Sequence, residues 1–109
     1  MSPGAPVGTV TFLFTDIEGS TRLWEEHPEV MSRALARHDE ILRTTIEKAG
    51  GTVFKTVGDA FCAAFSDPSD GMRAVVEFQS LFADEPWPEP VQIRVRAALH
   101  TGVAESRDG

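Results

Sequence analysis

Hydrophobic and polar positions change period several times along the chain, and each change marks an element. Residues 9–15 read TVTFLFT, threonine interleaved with Val, Leu and Phe, which predicts a sheet strand over 7–15. Asp16, Ile17, Glu18 and Gly19 follow at once, and then Ser20 and Thr21, both N-cap types. A short helical turn over 21–26 is expected, with Pro28 placed to open a longer helix. Over 29–49, Met31, Leu35, His38, Leu42, Thr45, Ile46 and Ala49 recur at helical spacing, and Gly50 and Gly51 supply a stop. TVFKTV and AFCAAF then flank Gly58 and Asp59, a two-residue hairpin signature. Asp67, Pro68 and Asp70 read as N-cap, first-turn proline and acidic first turn of a helix to about residue 83. Its apolar face is expected at Met72, Val75, Phe78 or Gln79, and Phe82. DEPWPEP is too rich in proline to join a ladder. Beyond it Val91, Ile93, Val95, Ala97 and Leu99 alternate with Gln92, Arg94 and Arg96, a strand with one buried and one charged face.

The order is strand, helix, strand, strand, helix, strand. That predicts an α+β fold with a ferredoxin-like βαββαβ core, an antiparallel sheet and helices on one face. All 109 residues are expected in one domain, with residues 1–6 a flexible N-terminus. Right-handed crossovers set the second strand parallel to the first, with the third between them. Asp16, ending the first strand, and Asp59, opening the third, should then converge on one edge of the sheet.

Composition narrows the function. Hydrophobic residues at 41% and charged residues at 25% describe an ordinary folding domain. A formal net charge of -7 gives no whole-molecule attraction to nucleic acid or anionic membrane, so neither is expected as a partner. No apolar run is long enough to span a bilayer, and MSPGAPVG lacks the regions of a secretory signal. The single Cys62 permits no internal disulfide, which points to a reducing cytoplasm.

In so acidic a chain two converging carboxylates repel each other, and nearby in sequence only Lys55 opposes them. A hard divalent cation would do so better. Mg²⁺ is commonly held by one or two carboxylates, with phosphate oxygens and water completing its shell. The same edge carries the start of the first helix, where Gly19, Ser20 and Thr21 can offer backbone N–H groups to a phosphate. Lys55, four residues before Asp59, can bind phosphate or donate to a base. Together these residues suggest a nucleoside triphosphate with Mg²⁺ in a phosphoryl-transfer site that works by positioning and charge neutralisation.

TFLFTDIEGSTRLWE, FKTVGDAF and VRAALHTG, in that order, resemble the class III nucleotidyl cyclase catalytic domain, the adenylate and guanylate cyclase family, from about Val7 to Val103. The TDIEGST form looks like the variety that heads bacterial multidomain regulators, which implies attached regulatory domains. The resemblance implies that Asp16 and Asp59 bind the metal, Mg²⁺ or Mn²⁺, with the Ile17 carbonyl as a further ligand. It also implies that Gly19, Ser20 and Thr21 contact the triphosphate and that Lys55 recognises the base. Family sites are shared across a head-to-tail homodimer, so Lys55 would serve nucleotide held by the other subunit. The implied reaction converts ATP, or GTP, to a cyclic nucleotide by attack of the ribose 3'-hydroxyl on the α-phosphate, releasing pyrophosphate. Family members continue past the HTG motif into a second base-recognising residue and the asparagine and arginine that stabilise the transition state. Arg107 and Asp108 match none of these. Losing such a stabiliser reduces phosphoryl transfer by about a thousandfold or more. The 109 residues alone are therefore expected to hold half a cyclase site and to be inactive.

Two other readings stand beside this one: a cyclase-homology module that binds nucleotide or dimerises to regulate an attached domain, and a ferredoxin-like domain without a nucleotide. Residue by residue, Glu18 reads as a favourable charge at a helix N-terminus. His38 reads as a packed or interface histidine, His100 as structural, and Cys62 as a small core residue. Trp24 and Trp87 fit either core or dimer contacts.

Overall fold

The structure is a computed structural model and describes residues 8–104. β1 (Gly8–Ile17) sets the layering: Thr11, Leu13, Thr15 and Ile17 point to one face and are buried, while Phe12, Phe14 and Asp16 point to the other. α1 (Ser20–Glu26) and α2 (Pro28–Lys48) follow, then β2 (Thr52–Val57) and β3 (Ala60–Phe65), α3 (Pro68–Asp84) and β4 (Val95–Ala104). The sheet order is β2-β3-β1-β4 and every neighbouring pair is antiparallel. This is the ferredoxin-like α+β arrangement that the element order predicts.

α2 and α3 cover one face of the sheet. α2 buries Met31, Ala34, His38, Ile41, Leu42, Thr45 and Ile46, and α3 buries Gly71, Ala74, Phe78 and Phe82, against Leu13, Ile17, Phe61, Ala63 and Phe65. Trp87 joins this core and its Nε1–H donates to the Phe82 carbonyl at 3.0 Å, whereas Trp24 is partly exposed. None of the described helices is long and apolar enough to cross a membrane.

Several local expectations need correction. β1 continues through Asp16 to Ile17, because β4 still pairs there, Asp16 with Arg96 and Ile17 with Val95. β4 starts at Val95, four residues later than its alternation suggests. Val91 and Ile93 are buried, yet β1, the one neighbour of β4 among the described residues, ends at Ile17 and leaves them no described strand to ladder with. On α3, Met72 faces solvent at 57% exposure and the inward positions are Gly71 and Ala74. A Cβ on Gly71 would lie 3.3 Å from both Leu99 and Thr11, so α3 sits too close to the sheet for a long side chain there. Cys62 is on the uncovered face, opposite Phe61 and Ala63, and is only partly buried. The N-cap of α1 is Gly19, not Ser20 or Thr21. The chain reverses there in the left-handed region, at φ 68°, which glycine adopts without strain. The residues expected to be flexible, 1–6, together with Val7, Arg107 and Asp108, lie outside the described residues.

Candidate functional site

The uncovered face of the sheet carries the candidate chemistry. On β1 it presents Phe12, Phe14 and Asp16; on β3, Ala60 and Cys62; on β4, Arg96, Ala98 and His100. Phe12 packs on Phe14 and edge-on to Phe54, with centroids 6.3 and 6.1 Å apart. Between these aromatics and the end of β1 the floor is built of small side chains. A concavity of about 320 Å³ lies there, lined by Phe14, Asp16, Ala60, Cys62, Arg96 and Ala98 among others.

Register brings the two aspartates to the same end of the sheet. β1 and β3 pair from Thr11 with Phe65 to Thr15 with Phe61. Continued outward, the same register sets Asp16 beside Ala60 and Ile17 beside Asp59. Asp59 occupies the second position of the β2–β3 turn, which Gly58 opens at φ 59°. Thr15 Oγ1 accepts from the Phe61 N–H at 3.2 Å and pins the hairpin to β1 just below the carboxylates. Ile17 buries its side chain, so anything it offers a ligand comes from its backbone carbonyl. The start of α1 follows three residues later, at Ser20. Its first helical bond is Leu23 N–H to the Gly19 carbonyl, and among the described residues no side chain caps the preceding N–H groups.

Lys55 reaches the same face through an irregularity the sequence does not announce. Val53 pairs with Ala63 but Lys55 pairs with Cys62, so Phe54 is an extra residue in β2. Without this bulge strict alternation would turn Lys55 toward the helices. With it, Lys55 and the 45% exposed Phe54 both belong to the uncovered face.

The main residue missed by sequence reasoning is Arg96. Its Nε donates to Asp16 Oδ1 at 2.7 Å and its Nη2 to Oδ2 at 2.8 Å, a two-point ion pair across the β1–β4 ladder. That hydrogen bonding holds the Asp16 carboxyl below the usual carboxylate range and raises the guanidinium in turn. Lys55 is therefore not the only positive charge that opposes the carboxylates. Alternation placed Arg94 and Arg96 on the polar side of the last strand; only the register decides which of them meets Asp16.

His38 lies on the other side of the sheet, fully buried, stacked on Phe82 and edge-on to Phe61, with centroids at 5.7 and 5.8 Å. Its Nδ1 is 2.8 Å from Asp39 Oδ1, and its Nε2 has no partner among the described residues. Burial holds this imidazole below its ordinary range, while Asp39 and Asp59 act in the opposite direction. It is a packed histidine, as its place on the helical stripe suggests.

Among the described residues no group of three His, Cys, Asp or Glu side chains is positioned to hold a metal. The donors that the sequence singles out, the Asp16 and Asp59 carboxylates and the Ile17 carbonyl, are all hard oxygens. That set suits Mg²⁺ or Mn²⁺ sharing its shell with phosphate and water, and does not suit a closed structural metal site.

Comparison with known proteins places this geometry in a family. The family model for the adenylate and guanylate cyclase catalytic domain matches residues 3–106. The adenylate cyclase of Lachancea kluyveri is 38% identical over 86 residues, 79% of this chain and 5% of that protein. The receptor-type adenylate cyclase ESAG 4 of Trypanosoma brucei brucei is 45% identical over 78 residues, 72% of this chain and 6% of that protein. Among solved structures, one of an adenylate cyclase from Trypanosoma brucei in its monomeric state superposes with a TM-score of 0.87 at 30% identity, covering 97% of this chain and 62% of the other. The chain thus spans a small part of these curated relatives and less than two thirds of that solved domain. It belongs to the adenylate and guanylate cyclase catalytic domain family.

Proposed function

We propose that this chain is the metal- and triphosphate-handling part of a cyclase that converts ATP to a cyclic nucleotide and pyrophosphate. The observation that carries the reading is the β1–β3 register, which brings Asp16 and Asp59 to the same end of the sheet, beside the start of α1. Mg²⁺ or Mn²⁺, when bound, supplies charge neutralisation at the phosphates. Asp16, Asp59 and the Ile17 carbonyl hold the metal, and the backbone N–H groups of Gly19, Ser20 and Thr21 hold the triphosphate. Lys55 reads the base of nucleotide held by a second copy of the chain in a homodimer. The ribose 3'-oxygen bonds to the α-phosphorus, the bond from that phosphorus to the bridging oxygen breaks, pyrophosphate leaves, and the hydroxyl proton passes to solvent. ATP is favoured over GTP because Lys55 fits the adenylate cyclases and the matched relatives carry that name.

One observation favours a second reading, a cyclase-fold module that dimerises or binds nucleotide without turnover: Asp16 already has a counter-ion in Arg96. Calorimetry with Mg²⁺ and a non-hydrolysable ATP analogue separates metal-dependent nucleotide binding from dimerisation alone. Binding that is lost in both Asp16→Ala and Asp59→Ala supports the metal assignment. Unchanged binding in either variant overturns it. In a longer form of the protein the same substitutions are expected to abolish metal-dependent turnover.

A further inference from the structure

Asp16 and Arg96 stand directly opposite each other on β1 and β4, and the guanidinium fork takes both carboxylate oxygens. The side chains are 46% and 65% exposed, so the pair is held by its own geometry more than by packing. Asp59, in the adjacent turn, forms no ion pair among the described residues. Of the two candidate metal carboxylates, Asp16, which lines the concavity, is therefore occupied, and Asp59 has no counter-ion among the described residues. A cation arriving alone must draw an oxygen of Asp16 away from Arg96 and leave a guanidinium unpaired beside a second positive charge. A cation arriving on a polyphosphate brings the replacement partner with it, because phosphate oxygens match the same fork.

We propose that the Asp16–Arg96 pair is a latch on the metal site, closed to a free divalent cation and opened by a cation carried on a polyphosphate. This inference rests on the metal role proposed above for Asp16. It makes cation and anion binding reciprocal: each strengthens the other, because each takes over one half of the same ion pair. Since the pair is exposed, the latch biases binding severalfold and does not block it.

Mn²⁺ without nucleotide is the probe, its free concentration followed by electron paramagnetic resonance with the 109-residue chain. Arg96→Gln is expected to bind Mn²⁺ more tightly than the unaltered chain, by on the order of threefold. Arg96→Lys, which keeps the charge and loses the fork, is expected to lie between them. Arg94→Gln removes an equal charge two residues away without touching Asp16, so a gain there equal to that of Arg96→Gln overturns the latch. No gain in Arg96→Gln, with binding lost in Asp16→Asn, also overturns the latch and leaves the metal site standing. Unaffected binding in Asp16→Asn removes the metal site and the latch together. If lone Mn²⁺ binds none of these proteins measurably, metal-free tripolyphosphate decides: freeing Arg96 by Asp16→Ala should strengthen its binding more than Asp59→Ala, and equal strengthening refutes the proposal.

Discussion

On the helix-covered face of the sheet Leu13, Phe61, Ala63 and Phe65 are almost wholly excluded from solvent, while one residue along the same strands Phe14 is 44% exposed. The covered face is fitted closely. Gly71 lets α3 approach β1 and β4, and a Cβ on Gly51 would lie 2.5 Å from the Phe65 ring. At its Asp16 end the uncovered face does the reverse, keeping alanines and Cys62 as a floor with Asp16 and Arg96 beside it, and carrying Lys55 on the neighbouring strand. Charges on the covered side would have to be desolvated without partners, at a cost of several kcal/mol each. Two faces of one ladder thus divide the work, one supplying the folding free energy and the other keeping ionised groups available to a ligand. Substitutions should separate along the same line.

The largest expected effect on stability belongs to the covered face. Phe78 is fully buried and packs on Phe82, and Phe78→Ala should cost about 3 to 5 kcal/mol through lost burial and a residual cavity. Denaturant unfolding followed by circular dichroism measures this, and a loss under about 1 kcal/mol would contradict the close fit described for this face.

A smaller effect is expected where the covered face contains a titratable group. Burial lowers the His38 pKa in the folded chain, against the weaker opposing pull of Asp39 and Asp59. Below about pH 6.5 the unfolded chain takes up a proton that the folded chain resists. Stability should be fully present above that pH and fall as the pH drops toward the lowered folded value. His38→Phe keeps the stack on Phe82 and removes the titration, so its stability should vary less between pH 7 and 5. Parallel profiles for the two proteins would show that His38 does not set this dependence.

How much of each face is legible in the sequence follows from what fixes it. β2, β3 and the hairpin turn fall where TVFKTV, GD and AFCAAF place them, because alternation and turn chemistry are local signals. Asp67 caps α3 through the Ser69 N–H at 2.8 Å, and Pro28 opens α2, for the same reason. That Asp16 and Asp59 lie at the same end of the sheet follows from topology and needs only element order. Arg96, by contrast, meets Asp16 through the β1–β4 register, and the strand is long and regular enough that a two-residue slip would have offered Arg94. The bulge at Phe54 leaves no mark in composition or periodicity, yet it decides the face of Lys55. Met72 misleads because the first large hydrophobic residue of α3 stands one position beyond the close contact that demands glycine.

The smallest expected effect is on the uncovered face, and it sharpens the comparison most. Arg96→Gln breaks a well-formed two-point ion pair, but between side chains that water already reaches. Solvent screening and the entropy of holding two long side chains together offset most of the attraction. The lowered pKa of Asp16 fixes the sign and the window. The pair contributes above about pH 4, where Asp16 is ionised in the unfolded chain as well, and its contribution disappears as acid protonates the folded carboxyl. The unaltered chain should therefore be only slightly more stable than Arg96→Gln at pH 7. That difference should shrink in 1 M salt and vanish below the folded pKa of Asp16. A salt-insensitive loss approaching that of Phe78→Ala would show that Arg96 supports the fold. The uncovered face would then be a second core, and a cation could not open the latch without loosening the domain.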